Sequence, residues 1–416
     1  MSVAAPPETL SYLEETVRVW LGLHRDAPAN CPELPERLAR QLLRIEEYEN
    51  DERDRWGCWD FASAENARRG TLQVAEVDRW LAARRAELEP AASLEPLWPS
   101  GRRFAICLTH DVDVLSARAT PAQVLRDARA AFGRDDRSPF PLLRLARPPV
   151  RLLRAIRSGV SRAPSVRETL EHSVALERDR GLTASYFFTV PPAGPWTRWD
   201  CAYAPDDRCV FRDRAQRLAD VMRTLRAEGF DIGLHGSYES ARVPGVLARE
   251  RARLERALGE SVTTTRQHFL HWDVRRTPRL QEEAGLRADS SLGYNRSVGF
   301  RAGTSLPFRQ YDLKARRPLD LVEVPLVVQD AALLGPIGLG RAPDETRRLV
   351  RDLFDEVAAV GGAITLVFHP DKLVRPDWRS LYEWTLDHAL ESGGWVTSLA
   401  GLDAWWRERE RTILGA

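Results

Sequence analysis

The chain has 416 residues, 43% of them hydrophobic, which is enough for one large domain or for two or three smaller ones. Its 61 basic and 60 acidic residues nearly balance, so the overall charge does not indicate a polyanionic partner such as nucleic acid. No run approaches the roughly 18 apolar residues of a membrane-spanning helix, and the first residues lack the pattern of a secretory signal.

Apolar residues at helical spacing predict at least two amphipathic helices within residues 8–48 and another helix at 73–88. Pro96, Pro99 and Gly101 then interrupt the pattern. We therefore divide the chain into a helical N-terminal extension, residues 1–100, and a second region, residues 101–416.

From residue 104 onward, short apolar runs alternate with helical segments. The predicted strands are 104–109, 183–189, 231–234, 263–270, 286–291, 321–328, 363–368 and 395–398. The predicted helices are 168–180, 213–228, 246–258, 344–360 and 378–391. This alternation predicts an α/β fold with parallel strands, and seven or eight such units favour a closed or nearly closed barrel over an open sheet.

A segment of different character, residues 115–165, follows the first predicted strand. It carries eleven arginines against three aspartates, and arginines alternate with leucines in FPLLRLARPPVRLLRAIR. Such a basic amphipathic segment can lie on an anionic membrane surface, or it can form a solvated helix pair that covers the barrel. We favour the covering role.

Metal-competent side chains end the first strand, in FAICLTHDVDVL. Asp111 and Asp113 are two residues apart, so strand alternation sends both to one side, while His110 turns to the other. The aspartates alone would equally fit a strand-end cap or a salt bridge. We expect His110 to make a supporting hydrogen bond or to fill the core.

Histidines also occur at or near the ends of three other predicted strands. His235 lies in DIGLHGSYES, His268 in RQHFLHW beside Arg266, and His369 follows LVF. Because a parallel barrel gathers the C-terminal strand ends at one mouth, these side chains are expected to converge with the aspartates. The remaining histidines are assigned to helices or to the surface: His24, His172, His271 and His388.

The set of THDVD, IGLHGSYES, RQHFLHW, DSSLG and LVFHP, in this order over about residues 104 to 400, resembles the polysaccharide deacetylase family (carbohydrate esterase family 4, NodB-like). GLTASYFFT is similar to that family's second strand. The resemblance implies a distorted (β/α) barrel of about seven strands, one divalent metal ion, usually zinc, and hydrolysis of an N-acetyl amide on a sugar.

The resemblance also implies residue roles. Asp111 matches the general base and Asp113 a metal ligand. His235 matches the first histidine of a His-Ser/Thr-x-x-His motif. Arg266 matches the arginine that orients the base, and His369 matches the acid that protonates the leaving amine.

The sequence departs from the family pattern where a second histidine would follow His235, because Glu239 stands there. A catalytic zinc site needs three protein ligands, so either His268 or Glu239 is expected to supply the third. We favour His268, since Ser237 and Tyr238 indicate a loop rather than a helical turn. Asp289 matches the family's fourth motif loosely and is assigned a catalytic role.

Substrate contacts are predicted for Arg301, Tyr238, Phe269 and Trp272, with a backbone amide near Phe269 helping to hold an oxyanion. Arg301 would grip a phosphate or carboxylate group, or else form a structural salt bridge. Aromatic rings near the mouth suit stacking on sugar faces, although each ring would equally suit core packing: Trp196, Trp199, Tyr203, Trp272, Tyr294 and Phe300.

The sequence therefore predicts a metal-dependent N-deacetylase acting on an N-acetylated sugar or glycan precursor. Two alternatives stay open: a hydrolase of another amide, such as a cyclic amide, and a metal-free carbohydrate-binding protein. Five cysteines without metal-site spacing indicate a reducing compartment, and the cytoplasm is the expected location.

Overall fold

A computed structural model describes residues 6–54, 56–115, 165–197, 199–335 and 338–415. Almost all of the basic segment, residues 115–165, lies outside these ranges. Its covering role and its membrane contact therefore stay predictions. No helix in the described ranges is long and apolar enough to cross a bilayer.

The strands are β1 Ala105–Val112, β2 Ser185–Phe188, β3 Arg208–Phe211, β4 Arg214–Arg217, β5 Asp231–Gly236, β6 Thr264–Gln267, β7 Ala288–Asp289, β8 Phe308–Asp312, β9 Arg317–Glu323, β10 Val328–Gln329, β11 Ala363–Val367 and β12 Trp395–Thr397. The main sheet runs β10-β11-β1-β2-β5-β6-β7-β9-β8, and β12 also pairs with β1. All of its described pairs are parallel except β8 with β9. This parallel-rich sheet with covering helices confirms the predicted distorted (β/α) barrel, here in the form of a half-barrel.

The helices are α1 Pro7–Leu21, α2 Glu36–Leu42, α3 Ile45–Glu49, α4 Glu65–Arg68, α5 Glu76–Leu88, α6 Leu170–Arg178, α7 Leu218–Ala227, α8 Val246–Leu258, α9 Thr277–Glu283, α10 Asp330–Leu334, α11 Pro343–Val360, α12 Pro376–Glu391 and α13 Leu399–Leu414. The long amphipathic helices begin and end within a few residues of their predicted positions. The apolar stripes of α6, α7, α8, α11 and α12 pack on one face of the sheet, and those of α1, α5 and α13 on the other.

The sequence prediction missed three strands. β3 and β4 form a separate two-stranded hairpin whose second strand is mostly exposed, so it lacks a hydrophobic alternation. β8 is the antiparallel partner of β9, and the predicted strand at 321–328 divides into β9 and β10. A sequence in which strands alternate with helices predicts parallel pairing, so it gives no signal for an antiparallel pair of strands at the edge of the sheet.

Two hydrophobic clusters lie on opposite faces of the sheet. The outer cluster packs Ile106 and Leu108 of β1 against the barrel helices. The inner cluster joins Cys107 of β1 and Phe187 of β2 to apolar residues of α1, α2, α5 and α13. The N-terminal extension therefore shares its largest hydrophobic cluster with the interior of the barrel.

Helix α1 also covers the edge strand β8. The Tyr12 hydroxyl donates to the carbonyl oxygen of Arg309 at 2.6 Å, and the Trp20 indole N–H donates to that of Pro307 at 2.8 Å. An exposed sheet edge is prone to pair with other chains, and side-chain donors along it remove that hazard.

Replacing Tyr12 by phenylalanine is expected to lower the free energy of unfolding by about 1–2 kcal/mol, because the Arg309 carbonyl loses its donor. Urea unfolding followed by circular dichroism measures this. Leu10→Ala on the exposed face of the same helix is the control, with an expected change within about 0.5 kcal/mol. Equal stability of Tyr12→Phe and the wild type would show that α1 does not protect this edge.

Candidate metal centre and flanking acid–base groups

The pairing of β1 with β11 sets the site's geometry. Thr109 lies opposite Val367 in this parallel pair, so Asp111 and His369, each two residues further on, leave adjacent strands at the same level. The first strand and a late strand are therefore neighbours in the sheet. Asp113 follows two residues after Asp111 on the same side.

Three potential metal ligands converge at this mouth. His235 Nε2 lies 3.2 Å from Asp113 Oδ1 and 2.9 Å from His268 Nδ1, and His268 Nδ1 lies 3.4 Å from Asp113 Oδ1. Ligands about 2.0–2.2 Å from a tetrahedral zinc ion are about 3.3–3.6 Å apart. The 3.4 Å separation lies in this range and the other two are shorter, so the ligand atoms are close enough to share one ion after they move apart by a few tenths of an ångström.

Neighbouring groups prepare these ligands for a cation. His235 Nδ1 lies 3.0 Å from the carbonyl oxygen of Arg266, which fixes the N–H on that nitrogen and leaves the Nε2 lone pair facing the centre. Burial raises the pKa of Asp113, but the neighbouring His268 and His235 imidazoles outweigh it and hold that pKa well below its usual range. Asp113 is therefore an anion at neutral pH.

Of the described residues, the cluster that can hold a metal ion comprises Asp113, His235 and His268, without Glu239. Glu239 lies in the one-turn 3-10 helix Tyr238–Ala241, where we expected a loop. The structure thus favours His268 as third ligand. Cys201, which the sequence did not single out, lies on the far side of that ring, with Sγ 3.9 Å from Nε2.

Asp111 lies beside Arg266, as the predicted base and its orienting arginine should. Arg266 Nη1 is 3.7 Å from Asp111 Oδ1, and the guanidinium also lies over the Phe187 ring at 5.1 Å. Asp111 Oδ1 has no hydrogen-bond partner among the described residues. This buried oxygen therefore has unused hydrogen-bonding capacity.

His369 is held by Asp330, a residue that the sequence analysis missed. Asp330 Oδ1 lies 2.6 Å from His369 Nδ1, and Oδ2 accepts the His369 backbone N–H at 2.7 Å. Burial lowers the pKa of His369, but Asp330 outweighs it and raises the value to about 10. The available signal was an aspartate directly after the apolar run LVEVPLVVQ.

Asp289 is fully buried and does not reach the mouth. It lies opposite Glu323 in the β7–β9 register, and its Oδ1 accepts a hydrogen bond from the Ser291 hydroxyl at 2.6 Å. Burial raises the pKa of both carboxyl groups, so the pair holds a proton. Asp289 thus lies in the interior beside Glu323 and within electrostatic reach of Arg266, and its catalytic role stays a prediction.

His110 turns away from the mouth, as predicted. Its Nδ1 lies 2.8 Å from the carbonyl oxygen of Phe368, and its Nε2 lies 2.8 Å from Glu177 Oε1. The Tyr186 and Tyr382 hydroxyls donate to the same carboxylate. This buried network ties β1 to the end of β11.

Two predicted substrate contacts are buried structural residues. Arg301 forms a two-point salt bridge with Glu47, with nitrogen–oxygen distances of 2.9 and 2.7 Å, so the structural alternative is the correct one. The Arg301 guanidinium lies over the Trp272 ring at 5.4 Å, and Trp272 is 2% exposed. Neither side chain reaches the mouth.

Aromatic rings beside the centre form a smaller group than predicted. Phe269 and Trp199 are half-buried with ring centroids 5.3 Å apart, and Tyr238 is nearly buried beside them. His271, assigned to a helix or the surface, is instead buried and stacked on Tyr238. Trp196 is half-buried, and the other candidate rings are core residues: Tyr203, Trp272, Tyr294 and Phe300.

Several solved structures are similar to this chain. One is a protein assigned as a polysaccharide deacetylase from Mycobacterium smegmatis, with 18% identity, a TM-score of 0.48, and coverage of 77% of this chain and 95% of that one. The chain is similar in structure to polysaccharide deacetylases. The allantoinase PuuE and a protein assigned as a polysaccharide deacetylase from Pseudomonas aeruginosa PAO1 each have 15% identity, a TM-score of 0.45, and coverage of 76% of this chain and 95% of their own. No family model and no curated protein matches.

Removing a ligand should remove the metal. Asp113→Ala and His235→Ala are each expected to lose bound zinc from a folded protein, because two remaining ligands cannot hold the ion against chelator. Metal analysis after dialysis measures zinc per chain. Glu239→Gln is the matched control and should keep the wild-type content; its loss of zinc would transfer the third ligand to Glu239.

Proposed function

We propose that this protein is a metal-dependent hydrolase that removes an N-acetyl group from an N-acetylated sugar or glycan precursor. The proposal is supported chiefly by one observation: the Asp113, His235 and His268 ligand atoms converge beside the Asp111 carboxylate, which faces Arg266, and the His369 imidazole, which Asp330 holds. The sequence motifs resemble those of polysaccharide deacetylases in the same order.

The residues around the metal centre have separate roles in the proposed reaction. A divalent ion bound there would lower the pKa of a water molecule toward about 7 and polarise an amide carbonyl. Asp111 accepts the proton of the attacking water, and Arg266 keeps its carboxylate aimed at the mouth. Asp113 is occupied as a ligand and does not take part in this proton transfer.

His369 acts as the general acid. Its Nε2 faces the mouth, 3.7 Å from Asp113 Oδ2, while Nδ1 is held by Asp330. The leaving amide nitrogen needs a proton before it departs as an amine, and an imidazolium at this position donates it. Asp111 and His369 leave neighbouring strands, so they flank one substrate carbonyl.

Aromatic rings beside the metal centre support a sugar substrate. The half-buried Phe269 and Trp199 rings lie there and suit stacking on a pyranose face.

The cysteines support a reducing compartment. All five are free thiols, which fits a cytoplasmic enzyme.

Acetate release from a panel of N-acetylated sugars, with purified zinc-loaded protein, tests the proposal. We expect release from at least one sugar and none after the metal is removed by chelator. Cyclic ureides are included in the panel. Ring opening of a cyclic ureide without any acetate release would show that the substrate is a cyclic amide rather than an N-acetylated sugar. A protein that binds sugar but holds no zinc and hydrolyses nothing would not be an enzyme.

The two proton-transfer residues should be separable from the metal ligands. Asp111→Asn and His369→Ala are each expected to lower turnover by about 10²–10⁴-fold while zinc stays near one per chain. Asp113→Ala should instead lose zinc and activity together. Full activity in His369→Ala, or loss of zinc in a folded Asp111→Asn protein, would contradict the assigned roles.

The Asp330 carboxylate should set the alkaline limit of activity. In the wild type, the acid form of His369 persists until the pH approaches its pKa of about 10. Asp330→Asn removes the largest of the charges that raise this pKa but keeps the burial that lowers it, so the pKa falls and the acid form is lost at lower pH. The pH dependence of kcat measures the shift; an unchanged alkaline limb would show that His369 is not the acid.

A further inference from the structure

The backbone directly after His268 is held in an uncommon conformation. Phe269 and Leu270 have φ values of 59° and 48°, in the left-handed region that residues other than glycine rarely adopt. Such residues persist where surrounding contacts fix them, and they cluster at functional sites. The turn at 268–270 carries a candidate metal ligand, so whatever fixes the turn also fixes that ligand.

A loop of the N-terminal extension supplies those contacts. The Cys58 thiol donates to the carbonyl oxygens of Phe269 and Leu270, with Sγ 3.4 Å from each. The Trp56 ring stacks on Phe269 with centroids 6.5 Å apart and an interplanar angle of 22°. Phe269 in turn contacts the His268 ring at 4.5 Å. A chain of rings thus runs from residue 56 to the metal ligand.

The loop itself is firmly anchored. Asp54 Oδ1 accepts the backbone N–H groups of Trp56 and Cys58 at 2.9 and 3.0 Å. From the barrel side, the Tyr238 hydroxyl donates to the Trp56 carbonyl, and Arg242 Nη2 donates to the Gly57 carbonyl at 2.8 Å. The loop is therefore held by its own hydrogen bonds and by hydrogen bonds from the segment after β5. His235 lies on β5 itself.

We infer that residues 56–58 of the N-terminal extension are a positioning element for the metal centre, acting through the turn at 268–270 on His268. This inference rests on the proposed function, because it assumes that His268 binds the metal. Trp56 and Cys58 touch neither metal nor substrate in this role; they orient the imidazole. Partners that orient a ligand typically change metal affinity by about 10–100-fold when they are removed.

Zinc affinity of the full-length protein tests the inference, measured by competition with a chromophoric chelator. Trp56→Leu and Cys58→Ala are expected to weaken zinc binding by about 10-fold or more, and Trp56→Phe should restore most of the affinity because it keeps a ring against Phe269. Trp98→Leu is the matched control. Trp98 is a buried tryptophan between the extension and the barrel that contacts Trp395 and Trp406, and its loss should leave affinity unchanged.

Unfolding of the zinc-free protein separates positioning from general destabilisation. Trp56→Leu and Trp98→Leu each remove a buried tryptophan, so both should lower the free energy of unfolding, but only Trp56→Leu should weaken zinc binding. An equal loss of zinc affinity in both variants would overturn the inference. So would wild-type affinity in both Trp56→Leu and Cys58→Ala, and Cys58→Ala alone decides the question if Trp56→Leu does not fold.

The same measurements distinguish the two proposals. A wild-type protein that binds no zinc, or that keeps it in Asp113→Ala, contradicts the proposed function. A wild-type protein whose zinc depends on Asp113 but not on Trp56 or Cys58 contradicts only the positioning role.

Discussion

The parallel pairing of β1 between β11 and β2 is the constraint on which the site depends. Its hydrogen-bond register fixes Asp111 and His369 at the same level of neighbouring strands, and strand alternation carries Asp113 to the same side. The next strands along the sheet, β5 and β6, bring His235, Arg266 and His268 to that edge. Six groups from distant parts of the sequence therefore meet without any of them being placed by a flexible loop alone.

Buried titratable side chains around this edge lie in pairs. Asp330 accompanies His369, Glu177 accompanies His110, and Glu323 shares a proton with Asp289. Removing one partner of such a pair leaves an uncompensated buried charge, which is strongly destabilising. The interior polar groups thus restrict the orientation of the reactive ones, and the Asp330 pair also keeps His369 in its acid form.

The N-terminal extension contributes to the barrel in three places. Helix α1 covers the edge of β8, Glu47 neutralises the buried Arg301, and residues 56–58 contact the turn after β6. These contacts join elements more than two hundred residues apart in sequence. They explain why apolar and charged residues of the extension are buried.

The sequence by itself determined the strand and helix pattern, the parallel fold and the residues that leave the strand ends, because hydrophobic periodicity and strand alternation are local properties. Asp111, Asp113, His235, His268 and His369 could be selected on that basis. Only the tertiary structure decided which side chains meet across the barrel: that His268 rather than Glu239 joins the ligand cluster, that Asp330 holds His369, that Cys201 lies behind His268, and that Arg301, Trp272 and Asp289 are buried. A local pattern gives the face toward which a side chain points, but its partner is fixed by strand order and long-range packing, which no local pattern contains.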